Sequence, residues 1–118
     1  MFKKHTISFK NACNGLVWSL NTQPNYRIHL FLSLLSLGLG FWLKISYVEF
    51  LIIVFLITVG LVIETINTAI EATTDAIDIK IREDIKIAKD VSAAAMLIYA
   101  IGATIIALMI FVPKIIKL

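Results

Sequence analysis

A single cysteine and two prolines are all that the 118 residues hold of those types, and the scarcity is informative. Cys13 alone can make no intrachain disulfide and leaves no cysteine pair to hold a metal; between Ala12 and Asn14 it reads as a small packing residue. The five glycines form neither GxGxxG nor GxxxxGK[ST], so both common phosphate-cradling loops are absent. Charged residues make up only 16% of the chain, and the lysines are dispersed, with no basic run interleaved with aromatics. That pattern speaks against a nucleic-acid partner. No cleavable signal peptide is expected, because the first long apolar run begins near Ile28, after a basic segment of mixed polarity. Internal repeats and low-complexity segments are also missing.

What is present is apolar surface. Apolar residues reach 59% of the chain, above the globular share of about 45–50%. Long uncharged runs place the chain in the membrane class, as one all-α domain over residues 1–118. An amphipathic stretch at about 6–21 puts Phe9, Ala12, Cys13, Leu16, Val17 and Leu20 on one face and Lys10, Asn11, Asn14 and Asn21 mostly opposite. It suits a helix lying at the interface, with Trp18 near the headgroups, or one packed on the other spans. Pro24 is placed to start the next helix.

Three spans follow, at about 28–47, 49–75 and 91–112. The first ends in Phe41, Trp42 and Tyr47 with Lys44, an aromatic belt with a snorkelling cation. Gly38 and Gly40 permit close helix packing. In the second, only Phe50 to Ile63 is strongly apolar. At 1.5 Å per residue this run is too short for a bilayer core of about 30 Å. The helix must therefore continue through Glu64, which sets that residue near a membrane boundary. Residues 76–90 read as a mixed-charge loop or a helical extension, and Ser92-Ala93-Ala94-Ala95 opens the third span with a small-residue surface. Pro113 is expected to end it.

Three spans put the termini on opposite sides. Lys3, Lys4, Lys10, Arg27, Lys80, Arg82, Lys86 and Lys89 fall on one side, against Lys44, Lys114 and Lys117 on the other. Eight of the 11 basic residues thus share a side, which places the N-terminus and the 79–90 segment in the cytoplasm.

On that side the second helix carries a polar stripe. At about 100° per residue, Glu64, Glu71 and Asp75 fall within roughly 40° of one another, with Asn67 about 60° from Glu64. Ionisable groups at membrane depth face a protein interior or a wet cavity, because hydrocarbon cannot solvate them. One carboxylate withdrawn in part from water can accept a proton from an alcohol, and a second can share Mg²⁺ with phosphate oxygens. Lys89 and Asp90, entering the third span, add a cation and another oxygen ligand. These are the parts of a phosphoryl-transfer site. Interhelical hydrogen bonding, or the ion path of a small transporter or channel, would use similar groups.

The segment Glu64-Thr65-Ile66-Asn67-Thr68-Ala69-Ile70-Glu71, followed by Asp75, resembles the signature of the small prokaryotic diacylglycerol kinase family, which includes the undecaprenol kinases. Lys89-Asp90 before small residues, Gly15, and the Asn25-Tyr26-Arg27-Ile28-His29 run match as well, so that nearly the whole chain is covered. The resemblance implies a homotrimer in the bacterial cytoplasmic membrane, with active sites shared between subunits and no relation to soluble kinases. It implies transfer of the γ-phosphoryl group of MgATP to a lipid alcohol, diacylglycerol or undecaprenol, at the cytoplasmic interface. By position, Glu64 looks like the catalytic base, Glu71 a metal ligand, and Lys89 the phosphate-binding cation. Asp75 lies on the nucleotide side, Asn67 and Asp90 look like polar organisers, and Arg27 and His29 fall on the lipid side. The Arg-Ile-His form looks closer to the undecaprenol-kinase branch.

One position departs from the family. A metal-holding glutamate is usual where this chain has Gln23, which offers an oxygen but no charge. The metal interaction is therefore weaker, compensated by a neighbouring carboxylate, or lost in an impaired family member. Gln23→Glu is expected to lower the magnesium concentration needed for half-maximal phosphoryl transfer; an unchanged magnesium titration would remove the idea.

Overall fold

A computed structural model describes residues 2–80 and 82–118. These residues form four helices and, among themselves, no strand: α1 (Phe2–Thr22), α2 (Pro24–Leu43), α3 (Tyr47–Ile77) and α4 (Glu83–Ile116). Three of them, α2, α3 and α4, are long and apolar enough to cross a membrane. At 1.5 Å per residue, α3 and α4 reach about 45–50 Å, well beyond a hydrocarbon core of about 30 Å, so their ends extend past it. Helix α3 packs against each of the other three and is the axis of the molecule.

Much of the large apolar surface faces outward, including Phe31, Phe55, Ile98 and Met109. In water such a surface would drive aggregation; against lipid tails it is the solvated face, and what must be satisfied inside is packing and polarity. The interior divides accordingly. At the Lys44 end, Leu43, Ile45, Ile53, Ile110 and Phe111 form the buried apolar core. At the other end the buried side chains are largely polar: Ser19, Glu64, Asn67, Thr68, Thr74 and Ser92.

The turn at the apolar end is closed by local chemistry. Lys44 adopts the left-handed conformation (φ 54°, ψ 51°) that ends many helices. Its N–H donates to the Phe41 carbonyl at 3.3 Å, and that of Ile45 to the Gly40 carbonyl at 3.1 Å, the paired bonds of a Schellman end. Gly40 must be small here, since a Cβ would lie 2.9 Å from both Ile45 Cδ1 and Phe50 Cε1. Ser46 then caps α3. Its hydroxyl accepts from Glu49 N–H at 3.2 Å, while Glu49 Oε1 accepts from Ser46 N–H at 2.9 Å. Lys114 of α4 reaches the same Glu49 oxygen at 3.6 Å, tying α4 to the start of α3.

The other connections are short. Gln23 is the only residue between α1 and α2, in an extended conformation (φ −108°, ψ 105°), and Pro24 begins α2 as expected. Between α3 and α4 residues 78–80 and 82 are non-helical, and Ile81 lies outside the described residues. The mixed-charge segment is thus mostly helical extension. Asp78 Oδ1 accepts from Lys80 N–H at 2.8 Å, and Glu83 and Asp84 sit in the first turn of α4, where acids suit the helix dipole. Pro113 does not end α4, which continues to Ile116. In the last turn its missing N–H forfeits one hydrogen bond and leaves the chain beyond it free to stay helical.

Close approach of α3 and α4 depends on Gly60. A Cβ there would lie 2.5–2.7 Å from atoms of Tyr99, whose hydroxyl donates to the Leu56 carbonyl one turn earlier on α3. Gly38, by contrast, has nothing within 4 Å of an added Cβ. Gly60→Ala is therefore expected to destabilise the fold by about 1–3 kcal/mol through overpacking, read as a lower thermal-unfolding temperature in detergent. Gly38→Ala should leave that temperature unchanged or slightly raised.

Candidate active site at the polar end of the central helix

Beyond Ile63 the apolar run of α3 gives way to a repeating pattern of acids, amides and hydroxyls on the faces turned towards α1, α2 and α4. Glu64 is 3% exposed. Its Oε2 lies 3.8 Å from His29 Nε2 of α2, too long for a hydrogen bond but close enough for the two groups to feel each other's charge. The half-buried His29 ring also tilts against Tyr99 of α4, with centroids 6.5 Å apart at 45°. Glu64 thus sits where all three spanning helices meet.

One turn further, buried Asn67 Oδ1 accepts a hydrogen bond from the Ser92 hydroxyl of α4 at 2.6 Å. A serine at this point serves twice, because it is small enough for α4 to approach and polar enough to satisfy the amide. Lys89, one turn before Ser92, extends its Nζ to Asp75 Oδ1 at 2.5 Å. Asp90, though adjacent in sequence, pairs instead with Lys86 at 2.7 Å along α4. The two adjacent residues therefore engage different partners.

Glu71 shares the stripe with Glu64, yet it is exposed, and its carboxylate forms no hydrogen bond or ion pair with the described residues. Gln23 is half-buried at the start of α2, and its Nε2 donates to Thr22 Oγ1 at 3.4 Å rather than capping the helix. The side chain of Arg27 is exposed and likewise unengaged by described residues, while its backbone N–H donates to the Gln23 carbonyl at 3.4 Å. The structure therefore joins Glu64 to His29, Asn67 to α4, and Asp75 to Lys89. The side chains of Glu71, Gln23 and Arg27 have no partner on another spanning helix among the described residues. Among the described residues no three His, Cys, Asp or Glu side chains converge within one chain.

Beside the stripe runs an apolar groove of about 730 Å³ between α1 and α3. Its walls include Leu16 and Trp18 of α1, Tyr26 of α2, and Leu61, Ile66 and Thr68 of α3. Along α3 it extends from Thr58 to Ala72, about 21 Å at helical rise. Tyr26, 4% exposed, places its hydroxyl 3.3 Å from that of Thr65 and so fixes the start of α2 against α3. Sequence reasoning did not single out Tyr26, Thr68 or the Ser92–Asn67 bond. The visible signals were a tyrosine inside the Asn25–His29 run and a serine heading a run of alanines.

A buried carboxylate, an apolar groove beside it, and a cation of the neighbouring helix paired to Asp75, about three turns beyond Glu64, form an arrangement that can accommodate a molecule with a long apolar part and a reactive polar end. Residues 10–111 match the family described as prokaryotic diacylglycerol kinase, and the chain belongs to that family. It is 37% identical over 107 residues to the undecaprenol kinase of Bacillus subtilis (strain 168), spanning 91% of this chain and 87% of that protein. It is 29% identical over 113 residues to the diacylglycerol kinase of Synechocystis sp. (strain ATCC 27184 / PCC 6803 / Kazusa), spanning 95% of this chain and 65% of that protein. The protein is accordingly a membrane lipid kinase with ATP as phosphoryl donor, and neither an ion path nor an impaired family member is favoured.

The Ser92–Asn67 bond makes a direct prediction. A double-mutant cycle of Ser92→Ala and Asn67→Ala, measured by unfolding in detergent micelles, should give a coupling energy of about 0.5–2 kcal/mol.

Proposed function

We propose that the chain transfers the γ-phosphoryl group of ATP to the hydroxyl of undecaprenol, with Glu64 as the base. The observation that carries this reading is the placement of the buried Glu64 on the same helix that walls the apolar groove. An alcohol whose tail lies in that groove brings its hydroxyl to the level of the stripe. The greater identity to the relative named undecaprenol kinase favours a polyprenol over diacylglycerol.

In the step itself the lipid O–H bond breaks and its proton passes to a Glu64 oxygen. The electron pair left on the lipid oxygen forms the new bond to the γ-phosphorus. The bond from that phosphorus to the β,γ-bridging oxygen breaks, and its pair leaves on ADP. Lys89, held at the exposed face by Asp75, provides positive charge for the phosphates, and Asn67, fixed by Ser92, organises the interior beside Glu64. Asp90 adds a further oxygen at the entrance of α4, and Arg27 and His29 face the lipid end.

Magnesium belongs to the proposal. It takes one or two protein carboxylates and completes its shell with phosphate oxygens and water. Glu71 fits, being an exposed carboxylate on the stripe that no described residue engages, and Gln23 can add an amide oxygen. When bound there, the ion offsets charge on the phosphates. Glu71, Gln23 and Arg27, whose side chains meet no partner on another spanning helix among the described residues, also support a homotrimer whose sites are completed by neighbouring copies. The basic residues on the α1 and 79–90 side support the cytoplasmic membrane with the N-terminus in the cytoplasm.

The test is reconstitution with labelled ATP, magnesium, and either undecaprenol or diacylglycerol. Undecaprenyl phosphate is the expected product; phosphorylated diacylglycerol alone would transfer the assignment to that acceptor, and no lipid product would sink the kinase reading for this chain. Glu64→Gln should slow turnover by about 10²–10⁴-fold while leaving assembly intact.

A further inference from the structure

The α3 helix carries five threonines, and four of them hydrogen-bond their own helix. Thr58 donates to the Val54 carbonyl at 2.9 Å, Thr65 to Leu61 at 2.6 Å, Thr73 to Ala69 at 2.7 Å and Thr74 to Glu71 at 2.9 Å. Thr68 does not. It is 5% exposed, and its Oγ1 is a buried side-chain oxygen without a hydrogen-bond partner among the described residues. Buried hydroxyls are normally satisfied, and one that is not requires an explanation. The usual remedy, donation to the carbonyl of the residue four earlier, was open to it as it was to its neighbours.

Two further observations locate what the hydroxyl is kept for. Thr68 lines the apolar groove between α1 and α3, where Thr58, Thr65 and Ser19 also lie with their hydroxyls already donated to their own helices. It also stands four residues after Glu64, which places the two side chains on adjacent turns of one helix face. Such pairs have Cβ atoms about 5–6 Å apart. An oxygen bonded to both groups, at about 2.7 Å from each, fits a gap of that size.

We propose that Thr68 Oγ1 is the hydrogen-bond donor that holds the hydroxyl oxygen of the acceptor lipid beside Glu64. This deepens, and rests on, the lipid-kinase reading above. The lipid alcohol accepts from Thr68 through one lone pair and donates its own proton to Glu64, leaving the other lone pair for the γ-phosphorus. Thr68 itself exchanges no proton with the substrate. The resting protein leaves the hydroxyl unpaired, and the bond is made only when lipid arrives.

The experiment uses the full chain with undecaprenol in mixed micelles, ATP and magnesium. Thr68→Val keeps the shape and removes the hydroxyl. It is expected to lower kcat/KM for undecaprenol about tenfold while leaving the KM for ATP within about twofold of the parent. Thr68→Ser restores the hydroxyl and should return kcat/KM to within about threefold of the parent. Thermal unfolding in micelles adds a readout that a structural role would move the other way. Because no bond is lost in the resting protein, Thr68→Val should unfold at the same temperature as the parent or a higher one. The proposal is overturned by parental kcat/KM in Thr68→Val, by equal losses in the Ser and Val variants, or by a fall in unfolding temperature together with a matching loss towards ATP. A parent that phosphorylates diacylglycerol or no lipid brings down the reading of the acceptor itself, whereas an active parent with an indifferent Thr68→Val brings down the Thr68 assignment alone.

Discussion

A carboxylate at membrane depth has to be solvated by protein, and the arrangement of this molecule follows from that requirement. Glu64 is buried at the meeting of α2, α3 and α4, with His29 Nε2 3.8 Å from its Oε2. Holding it there takes a helix long enough to carry an apolar half through hydrocarbon and a polar half to the boundary, and α3 is that helix. The other elements serve its two halves. At one end they give it an apolar core and a doubly capped turn; at the other they supply amides and hydroxyls that replace water.

The division has an energetic logic. Between helices in lipid, hydrophobic burial contributes little, so stability comes from close packing and from polar contacts that have no better alternative. Gly60 against Tyr99 is the packing contribution, and Asn67 with Ser92 is the polar one. Both lie on the α3–α4 interface, on either side of Glu64 along α3. Glu64 is thus framed by two contacts between its helix and α4, which is how a side chain without a strong partner of its own can be held in place.

Much of the architecture could be read from the residues. Hydropathy revealed three spans, Pro24 marked the start of α2, and the shortness of the Phe50–Ile63 run required α3 to continue past Glu64. The carboxylate stripe is a property of one helix, so helical period alone exposed it. What stayed hidden depends on register between helices. Nothing in the sequence says that Ser92 meets Asn67 or that Tyr99 lies over Gly60, because a slip of one turn would pair other residues. Lys89 and Asp90 illustrate the same limit: neighbours in the chain, they point to Asp75 and Lys86 respectively. Pro113 misled for a different reason, since the cost of proline depends on how many hydrogen bonds remain to be lost, and in a last turn there are few. Lys44 took a conformation usually given to glycine, so its turn had no compositional marker.

The single-residue join at Gln23 has a mechanical meaning. Consecutive Cα atoms are about 3.8 Å apart, so a link of one residue has almost no slack, and Gln23 is tied on both sides by backbone bonds to Ser19, Tyr26 and Arg27. Helix α1 cannot drift along the bilayer surface independently of α2. It behaves as an arm geared to the tilt of the first span, and because that arm forms one wall of the groove, a change in tilt becomes a change in groove width. Bilayer thickness, which governs the tilt of a spanning helix, is thereby coupled to the width of the groove.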